Sequence, residues 1–291
     1  MEYIRDILEL ELKEEVNKLQ RCFGGSINDV IECQTNNFHV ALKINEAEKF
    51  PEMFDKEAEG LKLLSSTPFR IPKILKQGTF QKWSYLILEF INDKGSSYSD
   101  KKLGENLAKM HSITSNHFGL ESDNYIGSIP QQNSLKKSWL SFYIEMRLQP
   151  LVKICFDQNR IYESDIRLFE KLYLELDKII PKEAPALLHG DLWQGNIISD
   201  EYSVPTLIDP AVYYGHREMD LSMLLLFGSI SEQTIETYND IFPLEKKWKE
   251  RTDIHQLYPL LVHLTLFGES YLKPIQRIVG KYTQLLTNFW V

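Results

Sequence analysis

Apolar residues near the start of the chain recur at intervals of three and four. Ile4, Ile7, Leu8, Leu12, Val16 and Leu19 share one helical face, which predicts a helix over 2–20. Gly24-Gly25-Ser26 breaks that pattern, and the period then changes. Residues 30–33 and 38–44 read as strands, with a turn at Thr35-Asn36-Asn37. A helix is predicted over 51–65, with Pro51 suited to its first turn, followed by strands at 72–78 and 83–90. After Ile91-Asn92-Asp93-Lys94-Gly95-Ser96 the character shifts to long helical patterns at 103–111, 135–157 and 166–180. Short strands flank 186–211, and helices return at 220–227, 232–238, 256–267 and 274–289. The pattern is α+β: a small strand-rich part with helical segments over 1–90, and a larger, mainly helical part over 91–291.

The 291 residues are 43% hydrophobic, enough for a sizeable core in one large domain or two lobes. With 33 basic and 41 acidic side chains the net charge is -8. That balance argues against non-specific nucleic-acid binding, which needs clustered Lys and Arg, and leaves room for a local basic pocket. Met1-Glu2-Tyr3-Ile4-Arg5-Asp6 reads as the start of an ordinary helix, not a secretory leader. The longest apolar runs, 221–227 and 257–267, fall short of the ~20 residues that cross a bilayer, so no membrane partner is expected. Cys22, Cys33 and Cys155 form no CxxC pair, and so small and odd a number fits a reducing cytoplasm.

The chemistry-bearing stretch is His189-Gly190-Asp191-Leu192-Trp193-Gln194-Gly195-Asn196, followed by Leu207-Ile208-Asp209-Pro210-Ala211. Protein-kinase-like enzymes use this spacing for a catalytic Asp, a magnesium-binding Asn and a second magnesium-binding Asp. Phosphoryl transfer asks the protein mainly for positioning and for neutralising phosphate charge. Asp191 is the candidate base that orients an acceptor hydroxyl and takes its proton. Asn196 and Asp209 offer hard oxygen ligands to Mg²⁺. Gly190 and Gly195 allow the turn angles of the loop. His189 is expected to make hydrogen bonds that fix the loop, and Asp220 to cap a helix or brace that loop.

On the nucleotide side, Lys43 stands alone among apolar neighbours in Phe38-His39-Val40-Ala41-Leu42-Lys43-Ile44. In a kinase such a Lys contacts the α- and β-phosphates of ATP and pairs with a helix Glu. Glu57, mid-helix between Phe54 and Leu61, is the candidate partner. Gly24, Gly25 and Ser26 lie where a glycine-rich phosphate loop belongs, and no GxxxxGK[ST] loop is present. Backbone atoms of Glu89, Phe90 and Ile91 are candidates for the adenine edge.

These residues together resemble the fructosamine kinase (ketosamine 3-kinase) family, a branch of the aminoglycoside-phosphotransferase-like kinases. The resemblance covers roughly 20–290. His189-Gly-Asp-Leu-Trp-Gln-Gly-Asn196 is similar to the family's HGDLWxGN, and Ile208-Asp-Pro-Ala-Val-Tyr-Tyr-Gly-His-Arg-Glu-Met-Asp-Leu221 to its DPAxYYGHxExDL stretch. His111, Phe118-Gly-Leu120, Asn124-Tyr-Ile-Gly127, Pro130-Gln-Gln-Asn133 and Arg147-Leu-Gln-Pro150 resemble its remaining motifs. The resemblance implies a two-lobed protein-kinase-like fold. It implies ATP- and Mg²⁺-dependent phosphorylation of the 3-hydroxyl of a ketoamine, free or on a glycated protein, after which the adduct falls apart and the amine is released. One departure stands out. Ser26 occupies the place of a loop Cys that forms an intersubunit disulfide in many members, so a monomer or weak homodimer without redox control is expected.

Trp193, inside the catalytic loop, is a candidate for stacking on a sugar ring. Tyr213, Tyr214, His216 and Arg217 form a polar-aromatic cluster that could rim the acceptor pocket. Residues 124–133 read as a long polar loop, and Trp139, Tyr143 and Arg147 as one helix face on which Arg147 needs a partner. Two alternatives remain at this point: a kinase for an aminoglycoside or other small molecule, and a catalytically silent nucleotide-binding scaffold.

Overall fold

The computed structural model describes residues 2–22, 29–93, 98–199 and 202–284. The chain forms two compact units that do not follow chain order: Met1–Lys102 with Gly195–Ala211, and Leu103–Gln194 with Val212–Val291.

The first unit is built on an antiparallel sheet. Helix α1 (Glu2–Leu12) is followed by β1 (Lys18–Arg21), β2 (Asp29–Gln34), β3 (His39–Glu46), α2 (Met53–Leu64), β4 (Ile74–Phe80) and β5 (Trp83–Glu89). The sheet order is β1-β2-β3-β5-β4. The period of two along β5 divides its side chains between the two faces. Tyr85 and Ile87 join Ile31, Cys33, Leu42 and Ile44 beneath Ile4, Ile7, Leu8 and Leu12 of α1, whereas Leu86 and Leu88 pack against Phe54, Ala58 and Leu61 of α2. Lys43 alternates with Leu42 and Ile44 and pairs in register with Leu86, so it points to the α2 face.

The first helix ends sooner than its periodicity predicts. Lys13 adopts a left-handed φ of 58°, and 18–21 pair with β2 instead. Val16 and Leu19 satisfy a helical pattern, but they reach the same apolar face from the segment entering β1 and from β1 itself, which gives the edge of β2 its hydrogen bonds. The turn at Thr35-Asn36-Asn37 is held by Glu14, whose carboxylate accepts from the Thr35 hydroxyl at 2.6 Å and the Asn37 N–H at 3.1 Å. A two-stranded hairpin, Ile197–Ser199 with Pro205–Leu207, completes this unit and is tied to it by Leu207 N–H donating to the Arg70 carbonyl at 3.0 Å.

The second unit is mainly helical: α3 (Asp100–His111), α4 (Trp139–Phe142), α5 (Gln149–Asp157), α6 (Glu163–Ile179), α7 (Glu218–Leu226), α8 (Glu232–Ile241), α9 (Thr252–Phe267) and α10 (Leu272–Gln284). Ala186–Leu188 pairs with Tyr213–Gly215, which sets the two flanks of the catalytic motif side by side. The expected polar loop at 124–133 is instead a small hairpin, Asn124–Ile126 with Ile129–Gln131, turning at Gly127, whose φ is 60°.

Between α4 and α5 the helix widens into a π-helical stretch, Tyr143–Leu148. Such widening often marks a functional or strained position. Here it carries Arg147, which is fully buried. The guanidinium lies over the rings of Tyr213 at 4.0 Å, Phe142 at 4.5 Å and Tyr258 at 5.4 Å. It donates to the Gln132 carbonyl at 2.5 Å and to Asn133 Oδ1 at 2.7 Å. Its partners are therefore aromatic faces and amide oxygens. Arg147→Met is expected to lower stability by about 3 kcal/mol, because two buried acceptors lose their donor. A urea melt with an unchanged m-value and a lower midpoint is the corresponding readout.

Candidate functional site

In the first unit the sheet, α2 and the hairpin bring three charges together. Lys43 Nζ lies 2.6 Å from Glu57 Oε1 and 2.9 Å from Asp209 Oδ1. The Lys43 side chain is 6% exposed and Glu57 10%, while Asp209 is 46% exposed. The pair is thus closed on the Glu57 side and open on the Asp209 side. Burial by itself lowers the Lys43 pKa, but the two carboxylates outweigh it and hold the ammonium charged well above its ordinary value. Glu57, chosen from three glutamates in and beside the helix, is the one that turns inward from α2.

Asp209 sits at φ 54°, a left-handed conformation that a non-glycine residue keeps only where its surroundings impose it. The hairpin supplies that constraint. Ile208 N–H donates to the Asn196 carbonyl at 3.1 Å, extending the Ile197–Leu207 register by one rung. Asn196 and Asp209 are therefore set at the same end of one hairpin. Lys43 engages Oδ1 of Asp209, leaving the other carboxylate oxygen for a cation. A carboxylate and an amide are the hard oxygen donors that Mg²⁺ selects, so these residues fit that ion.

The remaining nucleotide-side residues divide. Glu89 forms an ion pair with Arg70 at 2.9 Å, and its N–H donates to the Lys73 carbonyl at 2.8 Å. The Phe90 N–H donates to the His39 carbonyl at 3.1 Å, and its ring stacks on the His39 ring at 4.3 Å. Ile91 is buried. Both of those N–H groups are used within the sheet, which leaves carbonyls and Ile91 for a base edge. Gly24, Gly25 and Ser26 lie outside the described residues.

In the second unit the loop that carries Asp191 hangs from a buried acid. Asp220, in the first turn of α7 and 1% exposed, accepts the His189 N–H at 2.8 Å and the Gly190 N–H at 3.0 Å. Gly190 has φ 83°, so a side chain there would be strained. His189 is fully buried and its Nδ1 accepts the Asp191 N–H at 3.3 Å. This is the loop-fixing role expected of it. The Trp193 N–H closes back on the Asp191 carbonyl at 3.1 Å, and the Trp193 side chain is 39% exposed. Leu187, Leu188 and Leu192 anchor the loop in the core. A partly exposed carboxylate on a backbone pinned at its two preceding residues is suited to accept a proton from a docked hydroxyl.

Three of the four residues expected on an acceptor rim are interior. Tyr213 is fully buried between Arg147 and Phe142. Arg217, 4% exposed, is paired with Glu183 at 2.7 Å and donates to the carbonyls of Phe242 at 2.9 Å and Pro243 at 2.7 Å. His216 is fully buried, with Nε2 3.3 Å from the Pro181 carbonyl and its ring stacked on His255 at 4.9 Å. Their local sequence is polar, but the strand Tyr213–Gly215 and α7 turn them inward, where side chains remote in sequence satisfy them. Tyr214 alone is half-buried, and partial burial pushes its hydroxyl pKa up.

His216, Glu218 and His255 bring ligand-type atoms within 4.8 Å of one another. Both Glu218 oxygens, however, accept from Arg251, at 2.9 and 2.5 Å. The carboxylate answers a guanidinium, not a metal ion. Burial and the neighbouring His255 hold His216 down to about 3. Burial would raise the Glu218 carboxyl, but His255 and Arg251 pull it well below its ordinary value. Both groups bind protons more weakly in the folded state than in the unfolded chain. Stability is therefore full above the ordinary His value of 6.5 and declines as pH falls towards 3. A melting temperature that falls across this window is expected, with the fall reduced in His216→Phe; a wild-type curve flat below pH 6.5 would contradict it.

The sequence matches the fructosamine kinase family over residues 2–285. It is 38% identical over 271 residues to an Enterococcus faecium protein named a probable ketoamine kinase, covering 91% of this chain and 93% of that one. It is 36% identical over 279 residues to the chloroplastic protein-ribulosamine 3-kinase of Arabidopsis thaliana, covering 94% and 84%. Among solved structures, a Thermobifida fusca protein described as a candidate fructosamine-3-kinase superposes with a TM-score of 0.86 at 29% identity, covering 98% and 99%. A streptomycin–ATP complex of an aminoglycoside phosphotransferase, 14% identical, covers 97% of each chain at a TM-score of 0.62 and shares the protein-kinase-like fold. By its motifs, its fold and its match along nearly the whole sequence, the chain belongs to the fructosamine kinase family.

Proposed function

We propose that this protein is a ketosamine 3-kinase. It transfers the γ-phosphoryl group of ATP to the 3-hydroxyl of a fructosamine or ribulosamine, on a free amine or a protein. The observation that carries this reading is the buried Lys43, gripped by Glu57 and by a left-handed Asp209 that lies 166 residues away in sequence. A fold has little reason to set a charged, half-exposed carboxylate against a buried ammonium in a restrained backbone unless phosphate and cation are to be handled there.

In this reading Lys43 contacts the nucleotide phosphates, with Glu57 fixing its position. Asn196 and Asp209 would hold Mg²⁺, whose charge would offset that of the transferring phosphoryl group. Asp191 orients the acceptor hydroxyl and accepts its proton as the oxygen attacks phosphorus. The O3–P bond forms, the bond from the γ-phosphorus to its bridging oxygen breaks, and ADP leaves. A phosphate on C3 is a good leaving group next to the C2 ketone: loss of a C1 proton gives the 1,2-enaminol, which expels inorganic phosphate, and water then hydrolyses the resulting imine to release the amine and a 3-deoxyosone. Trp193, exposed on the catalytic loop, is suited to stack on the sugar. The buried Tyr213, His216 and Arg217 have no part in substrate contact. Three free cysteines among the described residues agree with a reducing compartment.

The test offers MgATP with a synthetic ribulosamine, a fructosamine and a panel of aminoglycosides. ADP release with a ketoamine, abolished by Asp191→Asn, supports the reading. Release with an antibiotic alone would move the protein to the aminoglycoside kinases, and nucleotide binding without turnover to silent scaffolds. The relatives' names favour the ketoamine.

A further inference from the structure

Behind the 189–196 loop of the second unit runs a file of polar side chains drawn from four separate parts of the chain. Asp220 takes the His189 and Gly190 N–H groups on its two oxygens. The oxygen facing His189, Oδ2, is also approached by His111 Nε2 at 3.3 Å. The other ring nitrogen of His111, Nδ1, lies 2.9 Å from the Tyr238 hydroxyl. The Arg217 guanidinium lies 6.0 Å from the centre of the Tyr238 ring and is itself anchored by Glu183 and by the carbonyls of Phe242 and Pro243. His111 and Tyr238 are fully buried, so water does not compete for these positions.

The chemistry of these groups favours one hydrogen arrangement. An ionised carboxylate only accepts, so His111 must carry a proton on Nε2 to meet Asp220. In the tautomer with its proton on Nε2, Nδ1 carries a lone pair. Tyr238 then supplies the hydrogen for that lone pair, and the Arg217 charge on the side of its ring favours a hydroxyl hydrogen turned towards His111.

We propose that Arg217, Tyr238 and His111 form a directed hydrogen-bond relay that sets the position of Asp191 through Asp220. The three are positioning residues: each acts on the next, and the loop is reached only through Asp220, at the N–H groups of 189 and 190. The proposal rests on the reading of Asp191 as the base. It gives the Arg217 of the DPAxYYGHR segment a function at the interior end of the loop, where Glu183 and two carbonyls hold its guanidinium.

Two measurements test it. In the first, kinetics with MgATP and a synthetic fructosyl-lysine are compared between His111→Gln and His111→Asn. The Gln amide nitrogen reaches the place of Nε2 and can donate to Asp220; the Asn amide nitrogen reaches only the place of Nδ1. His111→Gln is expected to keep kcat within about tenfold of wild type, while His111→Asn and Tyr238→Phe lose roughly 10- to 100-fold. KM for ATP is expected to stay within about threefold in all three, since the loop, not the nucleotide grip, is disturbed. Near-UV circular dichroism checks that each variant is folded. Equal activity of the Gln and Asn variants, or wild-type kcat in Tyr238→Phe, overturns the relay.

The second measurement needs no turnover. Nitrogen-15 shifts of the His111 ring, assigned by difference against His111→Gln, are expected to show the proton on Nε2. They are expected to change in Tyr238→Phe. A proton found on Nδ1 in the wild type overturns the proposal. If Asp191→Asn proves as active as wild type, the base reading fails, and the ring tautomer still decides the relay.

Discussion

Asp191→Asn is expected to lower kcat by about 1,000-fold, within the range that a positioned general base contributes, while nucleotide binding changes by no more than a few-fold. The substitution keeps the shape of the side chain but removes the acceptor for the hydroxyl proton. The loop backbone is held by donors at His189 and Gly190 and by the buried Leu187, Leu188 and Leu192, and these supports remain in the variant. Steady-state kinetics with a ketoamine, paired with calorimetric titration of MgATP, separate the two effects. A variant that loses ATP affinity along with turnover would mean that Asp191 serves the nucleotide and not the acceptor.

Lys43→Met is expected to reduce kcat/KM for ATP by roughly 100- to 1,000-fold, through loss of the phosphate contact. It is also expected to lower stability by about 3–5 kcal/mol, because Glu57 is left as a buried charge without a partner. The geometry makes the two losses separable. Glu57 is 10% exposed and depends on Lys43, whereas Asp209 is 46% exposed and is solvated without it. The double variant Lys43→Met with Glu57→Gln removes the orphaned charge, so it is expected to recover most of the stability and none of the activity. Chemical denaturation beside the kinase assay gives both numbers. Recovery of activity in the double variant would show that Lys43 serves the fold alone.

Much of this was legible before any coordinates. The strand alternation around Lys43 placed it among apolar neighbours, and the amphipathic pattern of 51–65 placed Glu57 on the inner face. Both followed from side-chain periods of two and 3.6, which are local properties of the backbone. The spacing of Asp191, Asn196 and Asp209 was also local, since it lies within one loop and one hairpin. What failed was the reading of Tyr213, His216 and Arg217. A polar, aromatic segment after a catalytic motif looks like surface, and nothing nearby in sequence reveals the rings, carbonyls and carboxylate that take it into the interior. The helix expected over 2–20 failed for a related reason. Its apolar period continued past Leu12, but pairing with β2 was worth more to residues 18–21 than further helix. His111 and Tyr238 had no sequence signal as a pair at all: they lie 127 positions apart and meet only when α3 and α8 pack.

The order of residues along the chain thus determined the types of element, the fold class, and the identity and spacing of the oxygen and nitrogen atoms available for phosphoryl transfer. These depend on backbone periodicity and on neighbours a few residues away. Tertiary structure alone decided which carboxylates Lys43 grips, which polar side chains are buried, and which way the hydrogen bonds behind the catalytic loop run. Burial and the direction of a hydrogen bond depend on groups brought together from distant parts of the chain, and their energies exist only once water has been excluded between them.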